Sequence, residues 1–243
     1  MGFYGAQGLK IELVHRTLSG AFRGTKFSPK NMRFFCVHWR KIWFQQNYSK
    51  NLYPWQYKIN IEKITWSVII EIYKNDKEEA KKACYNNFSS IAKDLVELGI
   101  NVDCAPVLDV STDKTHGIIG DRTFGSNPEE IIDLSKELCR AFLDNDVYPI
   151  IKHIPGHGRA ISDSHLELPS VDASLEELTN SDFIPFKELA DMKFAMTAHI
   201  LYSAIDNKLP ATISKKMIDI IRNQIGFKNI LMSDDISMKA LPG

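Results

Sequence analysis

The stretch VYPIIKHIPGHGRAISDSH, residues 147–165, decides how the chain is read. It opens as a short apolar strand, VYPIIKH, and the strand ends on Lys152 and His153. Charge at the end of a buried strand is costly unless it meets a ligand or a partner. A Pro-Gly-His-Gly turn follows, in which Gly156 and Gly158 flank His157 and permit backbone angles that other residues resist. Strands ending on polar groups recur outward from this point. INVDCAPVLDV (100–110) carries Asp109, FAMTAHI (194–200) carries His199, and NILMSDD (229–235) carries Asp234.

Helical patterns separate these strands. DKEEAKKACYNNFSSIAKDLVELG (76–99) places Ala80, Ala83, Cys84, Phe88, Ile91, Leu95 and Leu98 on one face at 3.6-residue spacing, and Gly99 ends it. NPEEIIDLSKELCRAFLDN (127–145) begins with Asn127 as N-cap, Pro128 at the first helical position and acids in the first turn. SLEELTNSDFIPFKELADM (174–192) opens on a Ser174/Glu177 capping box, and Pro185 kinks or splits it. ISKKMIDIIRNQIG (213–226) is capped by Ser214 and stopped by Gly226. Alternating helices and strands imply a parallel sheet, because parallel strands need crossover connections. Both a barrel and a doubly wound sheet satisfy the alternation. The polar residues favour the barrel, since Asp109, His153, His199 and Asp234 fall at the C-terminal ends of four different strands. In a TIM-type (β/α)8 barrel that face carries the chemistry, whereas an open sheet gathers its ligands at one switch point.

The chain has 243 residues, 44% hydrophobic and 25% charged, enough for one globular domain with a sizeable core. No apolar run is long enough to span a membrane, and the N-terminus lacks a signal-peptide pattern. The four cysteines (Cys36, Cys84, Cys104, Cys139) show no CxxC spacing and read as reduced thiols of a cytoplasmic protein. The zero net charge hides an asymmetry. Residues 1–75 hold 12 Lys+Arg, 3 Glu and no Asp, so residues 76–243 hold 18 Lys+Arg and 27 acids. All four tryptophans (Trp39, Trp43, Trp55, Trp66) lie in the first part. Residues 1–75 are therefore set apart as an atypical basic, aromatic segment without a clean period. Basic residues interleaved with aromatics also suit a nucleic-acid arm, but a charge run is usually a solvated face. No nucleic-acid or membrane partner is expected.

Two chemistries suit the histidines. A metal site would draw on His153, Asp163, His165, His199 and Asp234. Against it, Pro155 and Gly156 exclude the helix that HExxH needs, and no recognised ligand spacing is present. In a proton-transfer site, Asp163 bonds one nitrogen of His165, fixes its tautomer and leaves the other nitrogen to handle a proton near neutral pH. Asp234 suits a nucleophile, Asp235 a helix cap. Arg122, in GDRTFG (120–125), suits ligand oxygens or a simple salt bridge.

Taken together, APVLDV, GDRTFG, KHIPGHG, DSH, MTAHI and MSDDISM resemble the bacterial β-N-acetylglucosaminidases of glycoside hydrolase family 3. The likeness covers residues 76–243. It implies retaining hydrolysis of a terminal β-linked N-acetylglucosamine in cell-wall recycling, from a muropeptide or a chitooligosaccharide. Asp234 would be the nucleophile, and His165 the acid/base oriented by Asp163. Arg122, Lys152 and His153 would bind the sugar, with Asp109 and His199 placed beside them. No cofactor or metal is required.

Two departures accompany the likeness. Residues 1–75 lack the family's early Gly-Gly-Arg loop, which suggests a different reading frame upstream of about residue 72. The sequence also stops nine residues after Asp234, so an incomplete barrel of weak or no activity is expected. A metal-dependent barrel hydrolase, a catalytically defective fragment and a non-catalytic binding module stand as alternatives.

Overall fold

A computed structural model describes residues 65–113, 122–162 and 167–241, together with the two-residue strand β1 (Phe34–Phe35). Helices alternate with parallel strands through it. They run α1 (Trp66–Asn75), α2 (Lys77–Glu97), β2 (Val102–Asp103), α3 (Pro128–Leu143) and β3 (Tyr148–Ile154). β4 (Ser170–Val171), α4 (Leu175–Asn180), α5 (Ile184–Glu188), β5 (Phe194–Thr197) and β6 (Leu201–Tyr202) follow. The last are α6 (Lys215–Ile220), a π turn (Ile221–Ile225) and β7 (Ile230–Ser233). Among the described residues the main sheet has five strands, ordered β1-β2-β3-β5-β7, and every pairing in it is parallel. This is the barrel-type α/β architecture, present as an open arc rather than a closed ring among the described residues.

Capping chemistry sets the helix starts. Asp76 accepts from the backbone N–H groups of Glu78 and Glu79 at the head of α2, and Asn127 from Glu129 at the head of α3. Ser174 and Glu177 form the reciprocal capping box of α4, and Ser214 caps α6 through Met217. Along α2, Ala80, Cys84, Phe88, Ile91 and Leu95 are buried, and each large apolar side chain contributes roughly 1.5–3 kcal/mol. Leu98 is exposed instead, because α2 ends at Glu97 and the cap turn carries it off the apolar face. Pro185 starts α5 rather than kinking a longer helix; the break falls at Ser181–Phe183.

The strand expected over residues 100–110 is regular only at Val102–Asp103. Pro106 has no N–H to give a ladder. Beyond it the chain stays beside β3 through Leu108 N–H to Lys152 O at 2.7 Å and Lys152 N–H to Pro106 O at 3.1 Å. α1 lies inside residues 1–75, yet it buries Ile69 and Tyr73 in the core that α2 and α3 share, and Tyr73 Oη donates to Asp133 in α3 at 2.8 Å. For residues 66–75 the composition break is therefore not a structural boundary. The rest of residues 1–75, β1 apart, falls outside the described residues.

The sheet has two apolar faces. Ile151 and Ala195 turn toward the helices, and Leu231 packs against that side. Tyr148 and Ile150 of β3, Phe194 and Met196 of β5 and Ile230 and Met232 of β7 form a second cluster with Val102 and Cys104. Period-2 alternation carries that inner face up to Lys152 on β3 and Asp234 just past β7.

Candidate active site

The polar groups converge where the inner face meets the C-terminal strand ends. Lys152, although buried, pairs in register with Met196 of β5, which pairs in turn with Met232 of β7. Between Lys152 and Ile154 the register shifts, so three residues of β3 oppose Met196 and Thr197. Such a bulge re-aims side chains. Both Lys152 and His153 act electrostatically on Asp234, and His153 Nε2 stands 4.0 Å from Asp234 Oδ2.

Asp109 organises this cluster from behind. It has no accessible surface. Its Oδ1 accepts the backbone N–H of His153 at 3.1 Å and that of His157 at 2.7 Å, and its Oδ2 meets His153 Nδ1 at 2.7 Å. Burial alone would raise the Asp109 pKa, but His153, His157 and these hydrogen bonds bring it below the usual carboxylate range. The ionised Asp109 therefore accepts Nδ1–H from His153 and leaves Nε2 toward Asp234. Thr123 Oγ1 donates to the Asp109 carbonyl at 2.5 Å, which ties in the segment that begins at Arg122. Arg122 is half-buried, and its charge acts on His157.

Asp234 follows directly on β7, with its side chain 19% exposed. Burial pushes its pKa up. The charges of His153, Lys152 and His199 and the backbone N–H of Asp235, at 2.8 Å from Oδ1, outweigh that and hold the carboxyl below its ordinary value. It is an ionised carboxylate at neutral pH, at a strand end and reachable from solvent. His157, by contrast, is buried and pushed down to about 4, by burial first and by the neighbouring His153 second. It is a neutral packing group at pH 7.

His199 is buried with both ring nitrogens engaged, Nδ1 with Thr212 Oγ1 at 2.6 Å and Nε2 with the Asp235 carbonyl at 3.1 Å. Burial lowers its pKa. The resemblance places Asp109 and His199 beside the sugar-binding residues, and both are buried here on protein partners. Asp109 aims His153, and His199 ties β5 to the segment that carries Asp234. Thr212, which links His199 with Thr197 at 2.9 Å, has no signal in the sequence beyond lying in a Pro-Ala-Thr loop.

Asp163 and His165 lie outside the described residues. The described chain leads toward them through a fixed turn. Gly158 is obligatory there, since a Cβ would stand 1.8 Å from the Val110 carbonyl oxygen. Among the described residues no cluster of three or more His, Cys, Asp or Glu side chains could hold a metal ion. Of the proposed metal donors, His153 and His199 already spend ring nitrogens on protein partners.

Comparison with known proteins shows the family. The family model described as the glycosyl hydrolase family 3 N-terminal domain matches residues 74–242. A β-hexosaminidase of Alkalilimnicola ehrlichii is 35% identical over 176 residues, which cover 71% of this chain and 50% of that protein. One from Neisseria gonorrhoeae is 34% identical over 181 residues, covering 73% and 50%. The crystal structure of NagZ from N. gonorrhoeae in complex with N-trifluoroacetyl-D-glucosamine superposes with a TM-score of 0.67 at 33% identity, covering 71% of this chain and 52% of that one. The β-N-acetylglucosaminidase of Thermotoga maritima gives 0.58 at 37% identity, covering 66% and 34%. The chain spans about half the length of the curated relatives it matches.

Proposed function

Because the chain belongs to glycosyl hydrolase family 3, whose N-terminal domain it matches over residues 74–242, we propose that its site hydrolyses terminal β-linked N-acetylglucosamine with retention of configuration. One observation carries this reading. An ionised Asp234 stands at a strand end, solvent-accessible, with the imidazole of His153 at 4.0 Å and the charge of Lys152 beside it.

Retaining hydrolysis needs such a carboxylate beneath the anomeric carbon and a proton donor at the leaving oxygen. Asp234 Oδ attacks the anomeric carbon and the glycosidic C–O bond breaks. His165, oriented by Asp163, gives its proton to the departing oxygen. In the second step His165 takes a proton from water, the hydroxyl adds to the anomeric carbon, and Asp234 is released as a carboxylate. Lys152, His153 and Arg122 hold sugar hydroxyls. Asp109 keeps the His153 ring facing the pocket, and His199 fixes the backbone beside Asp234.

The substrate is a muropeptide or chitooligosaccharide, and the setting is cytoplasmic recycling of cell-wall fragments. No described helix is long and apolar enough to cross a membrane. The reading predicts slow release of 4-nitrophenol from 4-nitrophenyl N-acetyl-β-glucosaminide by the purified chain. Asp234→Asn lowers that rate by at least roughly a thousandfold, because it removes the nucleophile. Turnover that survives Asp234→Asn contradicts the assignment.

A further inference from the structure

At the turn that follows β3 lies a half-buried ion pair that none of these steps uses. Asp182, between α4 and α5, is 1% exposed, and its Oδ2 accepts from Arg159 Nε at 2.8 Å. Its Oδ1 has no hydrogen-bond partner among the described residues. Its sequence neighbours Leu178, Phe183 and Phe186 are fully buried. An ion pair with one partner part-exposed adds little net stability, so its effect on geometry is the more telling one. Burial raises the Asp182 pKa, and the bond and charge of Arg159 offset only part of that.

Arg159 and Gly156 tie this pair to one turn. Arg159 sits in it. Gly156, at φ +139°, passes so close that a Cβ there would lie 3.1 Å from Asp182 Cβ. The buried Tyr202, on β6, donates its hydroxyl to the Gly156 carbonyl. On the opposite side, Asp109 accepts from His157 N–H, and Gly158 lies against Val110. Residues 156–160 are thus gripped from both sides. After Ala160 the grip ends, and Ile161 is 65% exposed.

We propose that Asp182 is a positioning residue: through Arg159, and with Tyr202 beside it, it holds the Gly156–Ala160 turn and so fixes where the chain departs for Asp163 and His165. This rests on the assignment of proton transfer to that pair. Arg159 is the residue through which Asp182 acts, because its rigid, planar guanidinium donates Nε–H to Asp182 Oδ2 and so fixes direction as well as charge.

Substrates that differ only in their leaving group test the proposal. Phenyl N-acetyl-β-glucosaminide needs a proton at its leaving oxygen; the 2,4-dinitrophenyl analogue departs without one. Asp182→Asn is expected to lower kcat/KM for the phenyl substrate by roughly tenfold to a hundredfold. For the dinitrophenyl substrate the loss is under about threefold, since no proton transfer is required in the first step. Equal losses on both, or none on either, overturn the proposal. Should Asp182→Asn not fold, Arg159→Lys keeps the charge, removes the Nε–H bond and carries the same readout. If the unmutated chain turns over neither substrate, the functional reading fails by itself. The positioning claim is then read from backbone hydrogen exchange of residues 156–162. Exchange there at least about tenfold faster in the variant, with α3 and β5 unchanged, supports it. Unchanged exchange, or equal acceleration throughout the molecule, overturns it.

Discussion

Asp109 shows how much of a site one side chain can hold. Two backbone N–H groups and one ring N–H end on a single carboxylate without accessible surface. Two other buried groups contribute in opposite senses to how the fold responds to acid. His157 is pushed down to about 4 inside the fold, so below the ordinary histidine value of about 6.5 the unfolded chain binds a proton that the native state refuses. That makes stability fall as pH drops from about 6.5 to 4, by on the order of 3 kcal/mol. Asp103 is pushed up to about 6 by burial, only partly countered by Lys152, and acts in the opposite sense. Between about pH 4 and 6 the native state holds the extra proton, so this contribution weakens as pH rises. The two offset each other over the shared window. Asp103→Asn removes one of them, and its unfolding free energy, followed by urea titration, should climb steeply from pH 4 to 6.5 where the parent is flatter. An equally flat variant contradicts these protonation states. Little of this was legible in the sequence. Lys152, His153 and Asp234 stand out because polar residues end apolar runs. Asp109 stands out too, but whether a strand-end carboxylate meets a sugar or a neighbouring imidazole depends on a side chain 44 residues away.

At the scale of elements, chemistry confined to a few consecutive residues was readable. Asn127-Pro128, Ser174 with Glu177, and Ser214 mark helix starts that the fold uses, and Gly226, at φ +87°, ends the last one. Elements defined by distant partners were not. β4 and β6 are two residues each and exist through their register, Ser170 with Leu201 and Val171 with Tyr202. The π turn at Ile221–Ile225 leaves no trace in an apolar pattern that suits an ordinary helix. Gly158 belongs to both groups: a turn glycine by sequence, it is obligatory because Val110, from another element, occupies the space of its side chain. Gly158→Ala should cost at least about 3 kcal/mol, since backbone rather than a flexible side chain must yield. A shift in the urea midpoint measures this, and a midpoint within experimental error of the parent contradicts the packing of the turn.

Over the whole molecule, the parallel sheet brings together residues that the sequence keeps far apart. Asp109, Lys152, His153 and Asp234 come from three different strand regions and meet at one end of the sheet because parallel strands all finish there. That convergence was legible from the alternation of elements and from the polar strand ends. The packing of α1 onto the core was not, because residues 1–75 carry a composition that hides it. Retaining chemistry at this end of the sheet demands a covalent bond between the sugar and one carboxylate. Its most direct test is mass spectrometry of the chain after incubation with 5-fluoro-N-acetylglucosaminyl fluoride, which forms such an intermediate faster than water releases it. The account predicts one added fluorosugar, located on the peptide that contains Asp234 and absent from Asp234→Asn. An adduct on another residue, or none on the folded chain, would contradict it.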